Sequence, residues 1–124
     1  MIKIFIPHKF TTLNEYIGAE RRNKYIAAKI KSDETKVVVA HLYKLTKLEK
    51  VKIDYQAVYK FTWHLKNKKI DPDNVVFARK FILDGMVLSG LLENDGQKQI
   101  KGFTDDFVID KDEGVEIIIQ EVEN

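Results

Sequence analysis

Residues 51–65 read VKIDYQAVYKFTWHL, and their side chains alternate between apolar and polar. One parity is apolar throughout, namely Val51, Ile53, Tyr55, Ala57, Tyr59, Phe61, Trp63 and Leu65, and the other is polar except at Val58. Successive side chains of a β-strand point to opposite faces of the sheet. The segment is therefore predicted to form a strand, or a pair of strands, with one face buried.

Three other segments have the same alternation over shorter lengths. Strands are predicted at Met1–Ile6, within Gln97–Ile109, and from Gly114 to about Val122. Each contains several β-branched or aromatic residues, which favour a pleated, half-buried surface.

Helices are predicted between these strands. Thr12 and Glu15 match a capping box, so a helix is expected from about Leu13. The segment Ser32–Glu34 offers a second cap, so the region that ends near Leu45 forms either two helices or one long helix with a polar middle. The largely apolar segment Val75–Leu92 predicts a buried helix.

The order of these elements lacks a regular βαβ alternation, which indicates the α+β class. A chain of 124 residues is sized for one domain. We therefore expect a single small domain over residues 1–124, with a mixed β-sheet packed against helices.

The composition excludes several classes of protein. The chain has no cysteine, which rules out disulfide scaffolds, thiol nucleophiles and cysteine-based zinc sites. No apolar stretch approaches the roughly 20 residues that span a bilayer, and the N-terminus lacks the features of a signal peptide. No glycine-rich phosphate loop is present. We therefore expect a cytoplasmic protein with no membrane partner and no nucleotide cofactor.

The net charge of +2 conceals an uneven distribution. Residues 1–69 carry 16 Lys and Arg against 6 Asp and Glu, whereas residues 70–124 carry 5 against 13. This division suggests a polyanion-binding surface beside a group of carboxylates. Alternatively, the opposite charges only interleave on the folded surface.

The segment 68–74, KKIDPDN, carries the main chemical signal. Pro72 favours an extended conformation at Asp71, so the carboxylates of Asp71 and Asp73 can lie on the same side of the chain. Two such carboxylates can share Mg²⁺, which needs only one or two of them together with water and phosphate oxygens. The same residues also suit a turn followed by a helix N-cap.

Three features near this segment favour a catalytic site. Lys80 follows Asp73 by about two helical turns and can face a phosphate, although an ion pair with Asp84 is the alternative. Asp95 follows the predicted helix and is a candidate third carboxylate, although Asn-Asp-Gly is also a favourable turn. Phosphates that flank such a site are expected to contact nearby lysines, namely Lys66, Lys68 and Lys69.

A second basic group precedes this region. Arg21, Arg22 and Lys24 lie on a predicted helix, where they form either a solvated face or further contacts to DNA phosphates.

The C-terminal half of the chain resembles the RusA-type crossover junction endodeoxyribonucleases. The resemblance rests on Asp71-Pro72-Asp73-Asn74, the segment 80–85 (KFILDG), Gly90, and Asn94-Asp95-Gly96. It continues more loosely through residues 100–103 and the last predicted strand. One departure concerns Lys80, which follows Asn74 by six residues, whereas the best-known members have a lysine three residues after the asparagine.

The resemblance implies a homodimeric, Mg²⁺-dependent enzyme, often encoded by phages or prophages, that resolves four-way DNA junctions in recombination and repair. It implies that Asp71, Asp73 and Asp95 bind the metal and that Lys80 is the essential lysine. The dimer surface is not identified; exposed apolar side chains at Phe10, Tyr43 or Phe107 are candidates. Two other interpretations stay open, namely a non-catalytic DNA-binding module and an interaction protein whose basic and acidic halves pair between subunits.

Overall fold

The computed structural model describes residues 1–123, which form four β-strands, four α-helices and one π-helical turn. The strands are β1 (Ile2–Ile6), β2 (Ala57–Leu65), β3 (Ile100–Ile109) and β4 (Gly114–Glu121). The helices are α1 (Leu13–Arg22), α2 (Lys24–His41), α3 (Pro72–Val76) and α4 (Arg79–Leu88), and the π-helical turn spans Lys44–Leu48. The fold is a single small α+β domain, as the sequence predicts; Asn124 lies outside the described residues.

The four strands form one mixed sheet in the order β1-β4-β2-β3. β4 pairs antiparallel with β1 and with β2, whereas β3 pairs parallel with β2. Parallel strands need a crossover connection, and α3 and α4 provide it here. As a consequence, the residues after β2 and those before β3 lie at opposite ends of the sheet.

The hydrophobic core lies between the sheet and the helices. Phe61 and Trp63 of β2 are buried and stack with their ring centroids 5.5 Å apart. Phe81 and Met86 of α4 are buried in the same cluster. Tyr59 is also buried, and this desolvation raises the pKa of its hydroxyl to about 12.

The break between the first two helices differs from the predicted one. The chain breaks at Asn23, whose side-chain oxygen accepts a hydrogen bond from the backbone N–H of Tyr25 at 2.7 Å and so caps α2. The predicted cap at Ser32–Glu34 lies inside α2 and is wrong. Glu34 is instead buried, and its carboxylate accepts hydrogen bonds from the backbone N–H of Thr11 and from His8.

Two other predicted elements are shorter than expected. The strand at residues 51–65 begins only at Ala57, and Ile53 forms an isolated bridge with Leu92 instead. The predicted helix Val75–Leu92 is divided into α3 and α4. The division leaves the aspartate motif at the start of a separate short helix.

Candidate functional site

A cleft of about 340 Å³ opens at the carboxyl end of β2, between the N-termini of α1 and α3. We call it the α1–α3 cleft, and its lining residues are Lys9, Thr12, Asn14, Glu15, Lys69, Ile70, Asp71 and Asn74. It contains both an acidic residue of the predicted metal pair and a lysine of the predicted phosphate group. The fold therefore brings these two kinds of side chain together.

Asp71 occupies the N-cap position of α3 but does not use its carboxylate as a cap. Its backbone is extended, with φ −65° and ψ 146°, as expected before Pro72. The side chain makes no capping hydrogen bond and is exposed. The capping alternative thus does not account for the carboxylate of Asp71.

Asp73 lies in the first turn of α3 and is also exposed. One of its carboxylate oxygens accepts a hydrogen bond from the backbone N–H of Asn74 at 3.1 Å. The other oxygen has no hydrogen-bond partner within residues 1–123. Asp73 therefore keeps an open acceptor close to Asp71 in the chain.

Asn74 connects α3 to α1. Its side-chain oxygen accepts a hydrogen bond from the backbone N–H of Asn14 at 2.9 Å. Thr12 caps α1 by accepting a hydrogen bond from the backbone N–H of Glu15. Two of the free N–H groups in the first turn of α1 thus find acceptors, one in the helix's own cap and one in α3. Asn74 thereby holds the first turn of α3 against the first turn of α1.

The predicted phosphate-binding lysines occupy different positions. Lys69 lines the α1–α3 cleft, whereas Lys66 lies 3.8 Å from a carboxylate oxygen of Glu113 and Lys68 is exposed. Lys9 also lines the cleft but was not among the residues identified from the sequence. Its position three residues before the cap of α1 is the only sequence signal that points to it.

Lys80 does not line the α1–α3 cleft. It is exposed on α4 and forms no ion pair within residues 1–123. The alternative prediction, an ion pair with Asp84, is therefore not observed either. Asp84 lies instead in a second groove.

Asp95 lines this second groove and not the α1–α3 cleft, where Asp71 lies. The groove has a volume of about 600 Å³ between α2 and α4, and it is lined by Lys31, Lys36, Asp84 and Asp95 among others. Asp95 precedes β3, whereas Asp71 follows the parallel β2, whose nine residues span roughly 25–30 Å. Within residues 1–123 no three acidic or histidine side chains approach closely enough to share a metal ion. Asp71 and Asp95 thus line different clefts, and a metal site that joins Asp71, Asp73 and Asp95 stays a prediction.

Arg21 and Arg22 end α1 and Lys24 begins α2, and all three are exposed at the end of α1 that lies away from the cleft. The ten residues of α1 separate this basic group from the cleft by about 15 Å along the helix axis. It can therefore contact only phosphates that lie away from the cleft.

The acidic half of the sequence partly neutralises the basic half within the same chain. Lys3 pairs with Glu116 and Lys60 with Asp106, both at 3.6 Å, and Lys66 approaches Glu113. The first two pairs connect strands of one sheet and the third joins the residues that flank β2 and β4, so opposite charges do interleave on the folded surface.

Two further residues lie at the carboxyl end of β2. Asp110 accepts hydrogen bonds from the backbone N–H of Asp112 and from His64, whose Nδ1 lies 3.0 Å from it. These bonds hold the pKa of the Asp110 carboxyl below its usual range, with the backbone bond as the larger cause. The Asp110 carboxylate is thus already occupied by local hydrogen bonds.

No protein-family model and no curated protein matches this chain. None of the helices within residues 1–123 combines the length and the apolar character needed to cross a membrane.

Proposed function

We propose that this protein is a Mg²⁺-dependent endodeoxyribonuclease that acts on four-way DNA junctions. The observation that carries the proposal is the uncapped carboxylate of Asp71, which lines the α1–α3 cleft together with Lys9 and Lys69. Asp73, two residues along the chain, offers a second exposed carboxylate with one open oxygen. Carboxylates alone repel DNA, whereas carboxylates with a cation between lysines can bind a phosphodiester.

The donor set suits Mg²⁺ rather than a softer metal. Asp71 and Asp73 offer oxygen ligands only, and Mg²⁺ typically takes one or two carboxylates and completes its coordination with water and phosphate oxygens. When bound, Mg²⁺ lowers the pKa of a coordinated water and stabilises negative charge at the scissile phosphate.

Other residues of the chain bind phosphates and position the two carboxylates. Lys69 and Lys9 bind phosphate oxygens at the rim of the cleft and orient the strand. Asn74 holds α3 against α1, so that the two carboxylates keep a fixed position relative to Lys9. Lys66, Lys68 and the group Arg21, Arg22 and Lys24 bind flanking phosphates.

Cleavage of a labelled four-way junction tests the catalytic part. We expect nicked products with Mg²⁺ and none with a chelator. Asp73→Asn is expected to reduce the cleavage rate by about a hundredfold or more, because a metal-bound carboxylate is lost. Asp54→Asn serves as the matched control, because Asp54 is exposed and lies outside the cleft.

Junction binding in the presence of a chelator separates this proposal from its main rival. A non-catalytic DNA-binding module would bind the junction equally well but would never cleave it. Wild-type protein that binds without cleaving in Mg²⁺, or an Asp73→Asn variant that cleaves at the wild-type rate, would overturn the catalytic proposal.

The lysines are tested by salt dependence. Lys69→Ala and Lys9→Ala are each expected to weaken junction binding. Each should also reduce, by about one, the steepness with which the logarithm of the binding constant falls with the logarithm of the salt concentration. Lys47→Ala, an exposed lysine on the π-helical turn, is the control and should leave both quantities nearly unchanged.

A further inference from the structure

One side of α1 is exposed to solvent along the whole length of the helix. Five exposed residues fall within about a third of its circumference, and we call them the exposed face of α1: Asn14, Glu15, Gly18, Arg21 and Arg22. The rest of the helix packs against α2 and α3, and Ala19 is buried there. The exposed face therefore makes no packing contribution to the core.

Gly18, at the centre of this face, has no structural explanation within the chain. A Cβ atom at this position would meet nothing within 4 Å. Its backbone is helical, and its φ is not positive, so its conformation does not require glycine. Glycine inside a helix costs stability relative to alanine, because it loses more backbone entropy. One use of glycine that outweighs this cost is the close approach of a ligand to the backbone.

The charges of the exposed face favour an anionic ligand. Neither Arg21 nor Arg22 forms an ion pair within residues 1–123. Glu15 lies at the other end of the face, where its carboxylate accepts hydrogen bonds from the backbone N–H and the hydroxyl of Thr12 at 3.0 and 2.9 Å. The end of the face that follows Gly18 is therefore positive and unpaired, which suits a phosphate backbone.

The exposed face of α1 continues from the α1–α3 cleft. Asn14 lines the cleft, and Arg22 follows it by eight residues, or about 12 Å along the helix axis. One strand of DNA covers that distance in about three to four nucleotides, at roughly 3.4 Å per nucleotide. A strand with one phosphate in the cleft therefore passes Gly18 before it reaches the arginines.

We propose that the exposed face of α1 binds one arm of the DNA junction, with the sugar–phosphate backbone crossing the helix at Gly18. Arg21 and Arg22 then bind phosphates about three to four nucleotides from the phosphate in the cleft. The inference rests on the proposed function for the identity of the ligand but not for its cleavage. Gly18 is the residue that admits the DNA backbone.

Junction binding in the presence of a chelator tests the role of Gly18. Gly18→Leu adds a side chain that points to solvent, so the variant is expected to stay folded in urea denaturation while it holds the DNA away. We expect the dissociation constant for a four-way junction to increase about tenfold, because phosphate contacts are lost. Ala28→Leu, which adds the same bulk at an exposed position of α2, is the matched control and should leave the constant unchanged.

The salt dependence of binding tests the path of the DNA. In the wild-type background, Arg22→Ala should reduce, by about one, the steepness with which the logarithm of the binding constant falls with the logarithm of the salt concentration. In the Gly18→Leu background, the same substitution should change this steepness much less, because the DNA no longer reaches Arg22. Lys69→Ala should have the same effect in both backgrounds, because Lys69 lies in the cleft.

The outcomes separate this inference from the proposed nuclease activity. A folded Gly18→Leu variant that binds the junction as tightly as wild type, or an Arg22→Ala effect that is equal in both backgrounds, would overturn the inference even in a protein that cleaves junctions. A wild-type protein that shows the expected binding pattern but never cleaves would overturn the nuclease proposal and support this inference.

Discussion

The side-chain oxygen of Asn74 accepts a hydrogen bond from the backbone N–H of Asn14 at 2.9 Å, so the first turns of α3 and α1 are joined across the cleft. The two residues are 60 positions apart in the sequence. This bond fixes the aspartate motif relative to the helix that begins beside Lys9. The cleft is therefore formed by two helix N-termini that stabilise each other.

Asn74→Ala is expected to lower the free energy of unfolding by about 0.5–1.5 kcal/mol, because the N–H of Asn14 loses its protein acceptor. Urea denaturation monitored by circular dichroism measures the change. Asn94→Ala, at an exposed asparagine of the loop before β3, should change stability by less than about 0.5 kcal/mol. Equal stability of the two variants would show that the Asn74 bond contributes nothing.

Gly85 allows α2 and α4 to approach closely. A Cβ atom at this position would lie 2.5 Å from side-chain atoms of Val38, which is itself buried. Gly85→Ala is therefore expected to lower the free energy of unfolding by about 1–3 kcal/mol through overpacking.

Gly18 provides the opposite case for comparison. It lies within α1, and a Cβ atom there would meet nothing within 4 Å. Gly18→Ala is expected to raise the free energy of unfolding by about 0.5–1 kcal/mol, because alanine loses less backbone entropy in a helix. Thermal and urea denaturation of the two variants should give changes of opposite sign, and a shared sign would contradict the packing argument for Gly85.

Glu34 fixes the loop that leads from β1 to α1. Its carboxylate lies 2.7 Å from the backbone nitrogen of Thr11 and 2.8 Å from Nε2 of His8. Glu34→Ala leaves this partly buried N–H without its acceptor and is expected to cost about 1–3 kcal/mol of stability. Glu34→Gln retains an acceptor oxygen and should cost less; the opposite order in urea denaturation would contradict this role.

The sequence predicts those features that depend on local contacts. The capping box of Thr12 and Glu15 is an example, because its two reciprocal bonds join residues three positions apart. Ser32–Glu34 has a similar local pattern, yet the carboxylate of Glu34 binds residues more than 20 positions away. A local pattern cannot reveal such a competing long-range partner.

The position of Asp95 was unpredictable for a related reason. The sequence indicates strands on both sides of the aspartate motif but not that β2 and β3 run parallel. That direction alone places the start of β3 at the opposite end of the sheet from the end of β2. A hairpin arrangement of the same strands would have brought Asp95 towards Asp71.

Asp95→Asn tests whether Asp71 and Asp73 suffice for cleavage. Because Asp95 lines a different groove from Asp71, this variant is expected to cleave a four-way junction in Mg²⁺ at close to the wild-type rate. Asp73→Asn, measured in the same assay, is the comparison that should lose activity. A loss of cleavage in Asp95→Asn as large as that in Asp73→Asn would contradict this expectation and would show that the reaction also needs the carboxylate of Asp95.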